Sequence, residues 1–320
     1  MTAAELVTSL DHDTASRAVA AVAERAAASG GHLGLLARHL DSGEQLAWNP
    51  DEAIGTASAV KVAIYAEVMR QRRLGRIDLD AAVITRETDL AGGSGVLSIL
   101  RPGLRCTVAD LCTLMIVVSD NTATNMLIDM LGGPSEVNEG LDALGYHGIR
   151  LNHKIGYGPP PLVVASPRPS VPSTEPLGTA TPTELCRLLA DLHAGAVVDT
   201  AASAEMTNTL RHQQSQSLVP RSYLDVADPS DAPGPDGPAV ASKTGSVGGC
   251  RVETGLLYLP GDGGTVAYCA AADGLADRSM TALAEGNEIL GRLGAIILAR
   301  WWPGPGPVPV RQGWLPPGPS

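Results

Sequence analysis

Phenylalanine is missing from all 320 residues, and aromatic side chains make up only 3% of the chain. The core must therefore be filled by Leu, Val, Ile and Ala. Lysine is nearly missing as well: of 23 basic residues three are lysine (Lys61, Lys154 and Lys243) and the other twenty are arginine. Positive charge is outweighed by negative, with a net charge of -11 and a pI near 5.0, which argues against nucleic acid or an anionic membrane as the main partner. The start, MTAAELVTSLDHDTASRAVAAVAERAAASGG, carries Glu5, Asp11 and Asp13 and no basic stretch followed by an apolar run, so it does not read as a signal peptide. Apolar runs such as Leu114–Val118 are far too short to span a bilayer. The five cysteines (106, 112, 186, 250 and 269) are odd in number and lack metal-like spacing. They read as free thiols of a reducing cytosol, so a cytoplasmic location is expected; a chain that begins after a removed leader reads the same way. No metal or cofactor is expected, and the expected partner is a small molecule.

What is present suits a folded protein. Hydrophobic residues make up 44% and charged residues 18%, and the length allows one large domain or two interleaved ones. Residues 14–29 predict a helix, with Val19, Val22 and Ala26 at helical spacing behind Asp13 or Thr14 as N-cap. Two short apolar runs around Asp41-Ser42-Gly43 predict a β-hairpin. Ser58 to Arg73 contains no Gly or Pro and places Val62, Tyr65, Ala66 and Met69 on one face, predicting a buried helix that starts near the serine. Residues 107–118 predict a second helix, capped by Thr107 and apolar on nearly all sides, as at a domain centre. Residues 183–194 and 281–300 read as helices; 239–246, 251–259 and 264–272 read as strands. Gly156–Pro182 is Pro-rich and reads as a long extended loop, a wall or lid of the active site. Ala227–Pro238 reads as a surface loop, and the Pro/Gly-rich tail 303–320 as extended chain. This order predicts an α/β (α+β) fold in which an all-helical domain, 58–182, is inserted between two halves of a sheet domain, 14–57 and 183–302.

Three short motifs carry chemistry. Where arginine is used almost everywhere, each retained lysine calls for a reason: an ammonium loses its proton when desolvated, whereas a guanidinium does not. Lys61 follows Ser58 by three residues, one helical turn away on the same face. A helix N-terminus and burial both lower the pKa of such a lysine, and a neutral amine beside a hydroxyl activates a nucleophile. The pair alone also describes a capping serine beside a surface lysine. Ser119-Asp120-Asn121 follows the apolar helix: the Ser hydroxyl there can pass a proton to a leaving group and the Asn amide can hold a substrate amide, though a satisfied turn reads equally well. Lys243-Thr244-Gly245, followed by Ser246, lies on a predicted strand. Its ammonium and hydroxyl can bind a carboxylate, and Gly245 admits close backbone approach; an edge-strand lysine with a bulge is the plainer alternative.

In this order the three motifs resemble the signature of class A β-lactamases and penicillin-binding proteins. The flanks are similar too: Gly93-Ser94-Gly95-Val96-Leu97, the run from Asp110 through Ser119-Asp120-Asn121-Thr122-Ala123-Thr124-Asn125, and Lys243-Thr244-Gly245-Ser246 through Arg251 and Gly255. The resemblance covers roughly 15–300. It implies an antiparallel sheet flanked by helices with an inserted helical domain. It makes Ser58 the acylated nucleophile, Lys61 its base or proton shuttle, Ser119 the shuttle to the leaving group and Asn121 a substrate holder. It makes Lys243 and Thr244 the anchor of a carboxylate, Gly245, Ser246 and Arg251 further substrate-binding residues, and the N–H groups of Ser58 and Ser246 the oxyanion hole.

The match fails at one point. Class A β-lactamases carry a Glu-x-x-Leu-Asn motif that holds the deacylating water. Here the corresponding run is Arg150-Leu151-Asn152-His153-Lys154-Ile155-Gly156-Tyr157-Gly158-Pro159, without an acid. Glu175, in Glu175-Pro176-Leu177-Gly178, is a candidate replacement; His153 and Tyr157 are weaker ones. The expectation is a serine hydrolase or acyltransferase acting on an ester, amide or lactam, complete for acylation and incomplete for deacylation. The alternatives are a true β-lactamase that uses Glu175 or an unusual base, and a silent ligand-binding relative.

Overall fold

The computed structural model describes residues 9–156, 175–222, 237–303, 308, 310, 314 and 315. In chain order the elements are α1 (His12–Ala28), β1 (His32–His39), β2 (Gln45–Trp48), β3 (Ile54–Gly55), α2 (Lys61–Arg73), β4 (Ala82–Ile84), β5 (Arg105–Thr107), α3 (Val108–Val117), α4 (Asn121–Met130), α5 (Pro134–Ala143), β6 (Arg150–Leu151), β7 (Gly178–Ala180), α6 (Pro182–His193), α7 (Thr200–Arg211), β8 (Ala239–Val247), β9 (Cys250–Tyr258), β10 (Thr265–Asp273) and α8 (Glu285–Arg300). Contacts divide the chain into two compact units. The first comprises 1–54, 181–190 and 215–320, the second 55–180 and 191–214. The second unit thus takes in 191–214, which the sequence assigned to the sheet half. The reason is that Gln213 donates to the Ile116 carbonyl and the Gln214 N–H to that of Val117, tying the segment after α7 to the end of α3.

The first unit is built on an antiparallel sheet in the order β2-β1-β10-β9-β8. The hairpin of β1 and β2 pairs Arg38 with Gln45 across a turn in which Gly43 has φ 75°. β9 and β10 are buried at eight of nine positions each, so both faces of these strands are covered. α1 and α8 pack together on the sheet around Val19, Val22, Tyr268, Leu290, Leu293 and Ile297. Phenylalanine is replaced here by alanine-rich contact: Ala270 and Ala272 on β10 and Ala23 and Ala26 on α1 belong to this core. α1 is started by Asp11, whose carboxylate accepts from the Thr14 N–H at 2.7 Å. Within the Pro/Gly-rich tail, Val308 and Trp314 are buried, and the Trp314 ring lies 5.7 Å from the Arg221 guanidinium and 5.6 Å from that of Arg292.

The second unit is mostly helical. Ten of the thirteen residues of α2 are buried, so it is a central helix rather than one with a single apolar face. α3 begins with a capping box in which Thr107 and Asp110 satisfy each other's backbone N–H groups. α4, α5 and α7 are additional to the helices read from sequence. Their start signals, Asp120 as N-cap of α4 and Pro134 at the first turn of α5, were not used in the sequence reading, and α7 contains three threonines, which are weak helix formers. The Pro-rich loop lies outside the described residues from 157 to 174; around it, β6 pairs with β7 through Arg150–Thr179 and Leu151–Gly178. Most of the predicted surface loop, up to residue 236, also lies outside the described residues. Among the described residues, no helix is long and apolar enough to cross a membrane.

α2 and α5 approach closely because Gly140 has no side chain. A Cβ there would lie 1.9 Å from Glu67 Oε2. That carboxylate cannot swing aside, because Arg70 holds it at 2.6 and 2.9 Å and Gln71 at 2.8 Å. Gly140→Ala is therefore expected to cost roughly 1–3 kcal/mol of stability, read as a lowered Tm in thermal denaturation. An unchanged Tm would show that the helices can part freely.

Candidate active site

Ser58 lies in a single 3-10 turn, Ala57–Val60, that leads into α2, rather than in the α-helix expected from the sequence. The difference favours the chemistry, because residues i and i+3 eclipse in a 3-10 turn and Lys61 follows on the same side. The Lys61 N–H closes the turn on the Ser58 carbonyl. The turn is entered through Ala57 at φ 43°, a left-handed conformation that costs a non-glycine residue about 1 kcal/mol or more. Ser58 itself is half-buried.

Lys61 is completely buried. Its Nζ donates to the Ser119 carbonyl at 2.8 Å, to Ser119 Oγ at 3.1 Å and to Asn121 Oδ1 at 2.9 Å. Ser119 turns both its carbonyl and its hydroxyl to the lysine by adopting φ 56°, a second left-handed non-glycine residue. An amine buried without such acceptors would cost several kcal/mol, so these contacts are the condition for placing a lysine there at all.

The Ser119-Asp120-Asn121 turn is in turn held by the Gly93–Leu97 loop. Ser94 Oγ donates to the Ser119 carbonyl at 2.7 Å and to Asn121 Oδ1 at 3.3 Å, and the Asn121 N–H returns a bond to the Ser94 carbonyl. Asn121 Nδ2 donates to the Gly92 carbonyl. Asp120 accepts from the backbone N–H groups of Val96 at 2.6 Å, Leu97 at 2.8 Å and Ala123 at 2.9 Å, capping α4 and pinning the loop together. Gly95, at φ 106°, leaves room for Asp120, which a Cβ there would meet at 2.3 Å. Ser94 and Asp120 were read from sequence only as parts of matching runs; the structure gives each a bonding role that the sequence reading did not assign.

Of the residues weighed for deacylation, His153 is spent on two carbonyls, with Nδ1 at 2.7 Å from that of Lys154 and Nε2 at 3.1 Å from that of Glu175. The Glu175 side chain is exposed. Tyr157 lies outside the described residues. The segment alongside α4 is fixed by Asn125, which donates to the Ile155 carbonyl and accepts the Ile155 N–H, both at 2.9 Å. From 150 to 156 that segment carries no acid. Lys154 instead pairs with Asp129 at 2.6 Å on the surface.

In the sheet unit, Lys243, Thr244 and Gly245 are buried on β8 and Ser246 is half-buried. Lys243 Nζ donates to the Thr244 carbonyl at 2.8 Å. Burial pushes its pKa down to about 7, against the opposing pull of Glu253. Arg251, expected to face substrate, does not do so. It is buried, and its guanidinium donates to Asn287 Oδ1 and to the carbonyls of Gly248, Cys250 and Ser279, which makes it a clasp between the β8–β9 turn and α8. Among the described residues, no group of three or more His, Cys, Asp or Glu could hold a metal ion.

The chain is similar to known proteins over most of its length. The model of a family described as "Beta-lactamase enzyme family" matches residues 14–301. The chain belongs to the beta-lactamase enzyme family. It is a serine hydrolase of the beta-lactamase-like kind, a mixed structure of helices and antiparallel sheet. A crystal structure of a beta-lactamase from Sphaerobacter thermophilus DSM 20745 is 30% identical, with a TM-score of 0.72 over 88% of this chain and 96% of that one. Beta-lactamase CTX-M-97 of Escherichia coli is 28% identical over 68% of each chain. Beta-lactamase FAR-1 of Nocardia farcinica is 34% identical over 38% of this chain and 39% of that one. The fold is shared with an ancestral class A beta-lactamase, GNCA, at 22% identity and a TM-score of 0.71, over 89% of this chain and 98% of that one.

Because Asp120 satisfies three backbone N–H groups, Asp120→Ala is expected to cost roughly 3 kcal/mol or more and to lower the Tm by several degrees. A variant as stable as the parent would mean that the loop holds the turn without it.

Proposed function

We propose that the chain catalyses acyl transfer from an ester, amide or lactam that bears a carboxylate, through a Ser58 acyl-enzyme that water resolves slowly. The observation that carries this reading is the buried Lys61 amine, one tight turn after Ser58 and bonded to Ser119 Oγ. Once Lys61 has shed one of the three protons that it donates to Ser119 and Asn121, its amine takes the Ser58 proton as Oγ bonds to the substrate carbonyl carbon. The Ser58 N–H donates to the resulting oxyanion, a contact typically worth ~3 kcal/mol. When the tetrahedral intermediate collapses, the carbon–leaving-group bond breaks and the proton passes from Lys61 through Ser119 Oγ to the departing atom. Lys243 and Thr244 bind the carboxylate, and Gly245 lets the substrate backbone come close. Asn121 holds Lys61 and donates to the substrate amide.

Release of the acyl group needs an activated acceptor, and the acid-free segment beside α4 supports a slow step there. The acceptor is then water activated by Lys61, or a second substrate's hydroxyl or amine. All five cysteines are free thiols and four are buried, which suits work in a reducing compartment. A second reading, rapid β-lactam hydrolysis, is favoured by the kinship with proteins named beta-lactamases, and it calls for Glu175 or an unusual base to activate the water.

Stopped-flow nitrocefin kinetics with intact-mass detection separate the two. The expected result is a burst followed by slow turnover, with a one-to-one adduct that persists for minutes and is absent in Ser58→Ala. Fast, complete turnover that Glu175→Gln abolishes would replace the first reading with the second. Absence of any adduct with penicillins or activated esters would overturn both.

A further inference from the structure

Glu253 takes no part in the chemistry above, yet it is completely buried in the sheet unit, on β9 directly across from Thr244. One carboxylate oxygen accepts from Ser242 Oγ at 2.6 Å and from the Tyr268 hydroxyl at 3.1 Å; the other accepts the Val219 N–H at 2.8 Å. All three partners donate, which is the environment of an ionised carboxylate. Strand alternation puts Ser242, Thr244 and Glu253 on one face of β8 and β9 and the Lys243 side chain on the other, so the two charges act through the sheet rather than in contact. Burial drives both toward neutrality, raising Glu253 and lowering Lys243, each to about 7, while each partner's charge resists the other's shift. Each of the two charges acts on the other. The remaining groups around Glu253 (Ser242 on β8, Tyr268 on β10 and the backbone of Val219 in the turn Val219–Ser222) are neutral.

We propose that Glu253 is a positioning residue for the Lys-Thr-Gly strand, bonded to Ser242 and facing Thr244, and that its charge keeps the buried Lys243 an ammonium able to anchor a substrate carboxylate. The anchoring half rests on the function proposed above; the electrostatic half stands without it. The sign follows from the lowered lysine. The ammonium is present below its folded pKa and lost as pH rises through it, and removing the Glu253 charge moves that loss to lower pH.

The three-lysine composition makes this measurable in the full chain. Selective 13C labelling of lysine yields three side-chain Cε signals, and Lys61→Arg and Lys154→Arg identify that of Lys243 by elimination. The expected result is that Glu253→Gln lowers the Lys243 titration midpoint by about one pH unit, a roughly tenfold loss of ammonium in the titrating range. Should Glu253→Gln not fold, the double variant Ser242→Ala, Tyr268→Phe keeps the carboxylate but strips two of its donors, and is expected to move the midpoint in the same direction by a smaller amount. A purely structural Glu253 would change the Tm and leave the lysine titration where it was. An unmoved midpoint in folded Glu253→Gln, or in the double variant if that alone folds, overturns the proposal. The same samples, tested for a Ser58 adduct, address the proposed function separately: a shifted midpoint in a chain that never acylates would keep the electrostatic claim and remove the anchoring one.

Discussion

Much of the second unit is arranged around one buried nitrogen. Lys61 Nζ is withdrawn from water and needs acceptors, and the chain supplies them by bending Ser119 into a left-handed conformation and aiming Asn121 back at it. Two strained residues, Ala57 and Ser119, flank this web, and neither conformation is favourable alone. They persist because surrounding bonds hold them: Asp120 pins the Gly93–Leu97 loop, and Ser94 shares the acceptors used by Lys61. Local strain is thus exchanged for a fixed position of the buried Lys61 amine.

The scarcity of lysine acquires a physical meaning in this setting. Two of the three lysines are completely buried, and both sit in the motifs that carry the chemistry; the third is paired on the surface. A guanidinium in either buried place would remain charged and could neither accept a proton nor tune its charge through burial. Arg251 illustrates the contrast. It is buried too, but as a permanent cation spread over four oxygen acceptors, where its task is to tie a turn to a helix. The first-unit lysine, Lys243, is balanced instead by a single buried carboxylate across two strands.

The residues most legible from sequence were those whose chemistry depends on spacing. Ser58 to Lys61, the Ser-Asp-Asn turn and the Lys-Thr-Gly strand each announced a local geometry, and the long regular elements (α1, α2, α3, β8, β9, β10) followed from hydrophobic periodicity. What stayed hidden depends on contacts distant in sequence. Ser94 lies 25 residues from Ser119, and Glu253 has no motif around it; only the sheet register brings it across from Thr244. Arg251 was misread because its residue type suits a substrate carboxylate, while the carbonyls that claim it come from turns up to 28 residues away. α4 and α5 were missed because their start signals, Asp120 and Pro134, were not used and their stability comes from tertiary packing rather than propensity.

The most direct test of the central claim, a lysine that must be able to lose its proton, is the acylation rate of Lys61→Arg measured in a single turnover with nitrocefin, alongside its Tm. Arginine keeps the positive charge and hydrogen-bond donors but cannot act as a base. A folded variant whose acylation falls by roughly 10²–10⁴-fold is what the account requires. A folded variant that acylates at the parent rate would show that Lys61 contributes only its charge, and the mechanism built on its proton would be wrong.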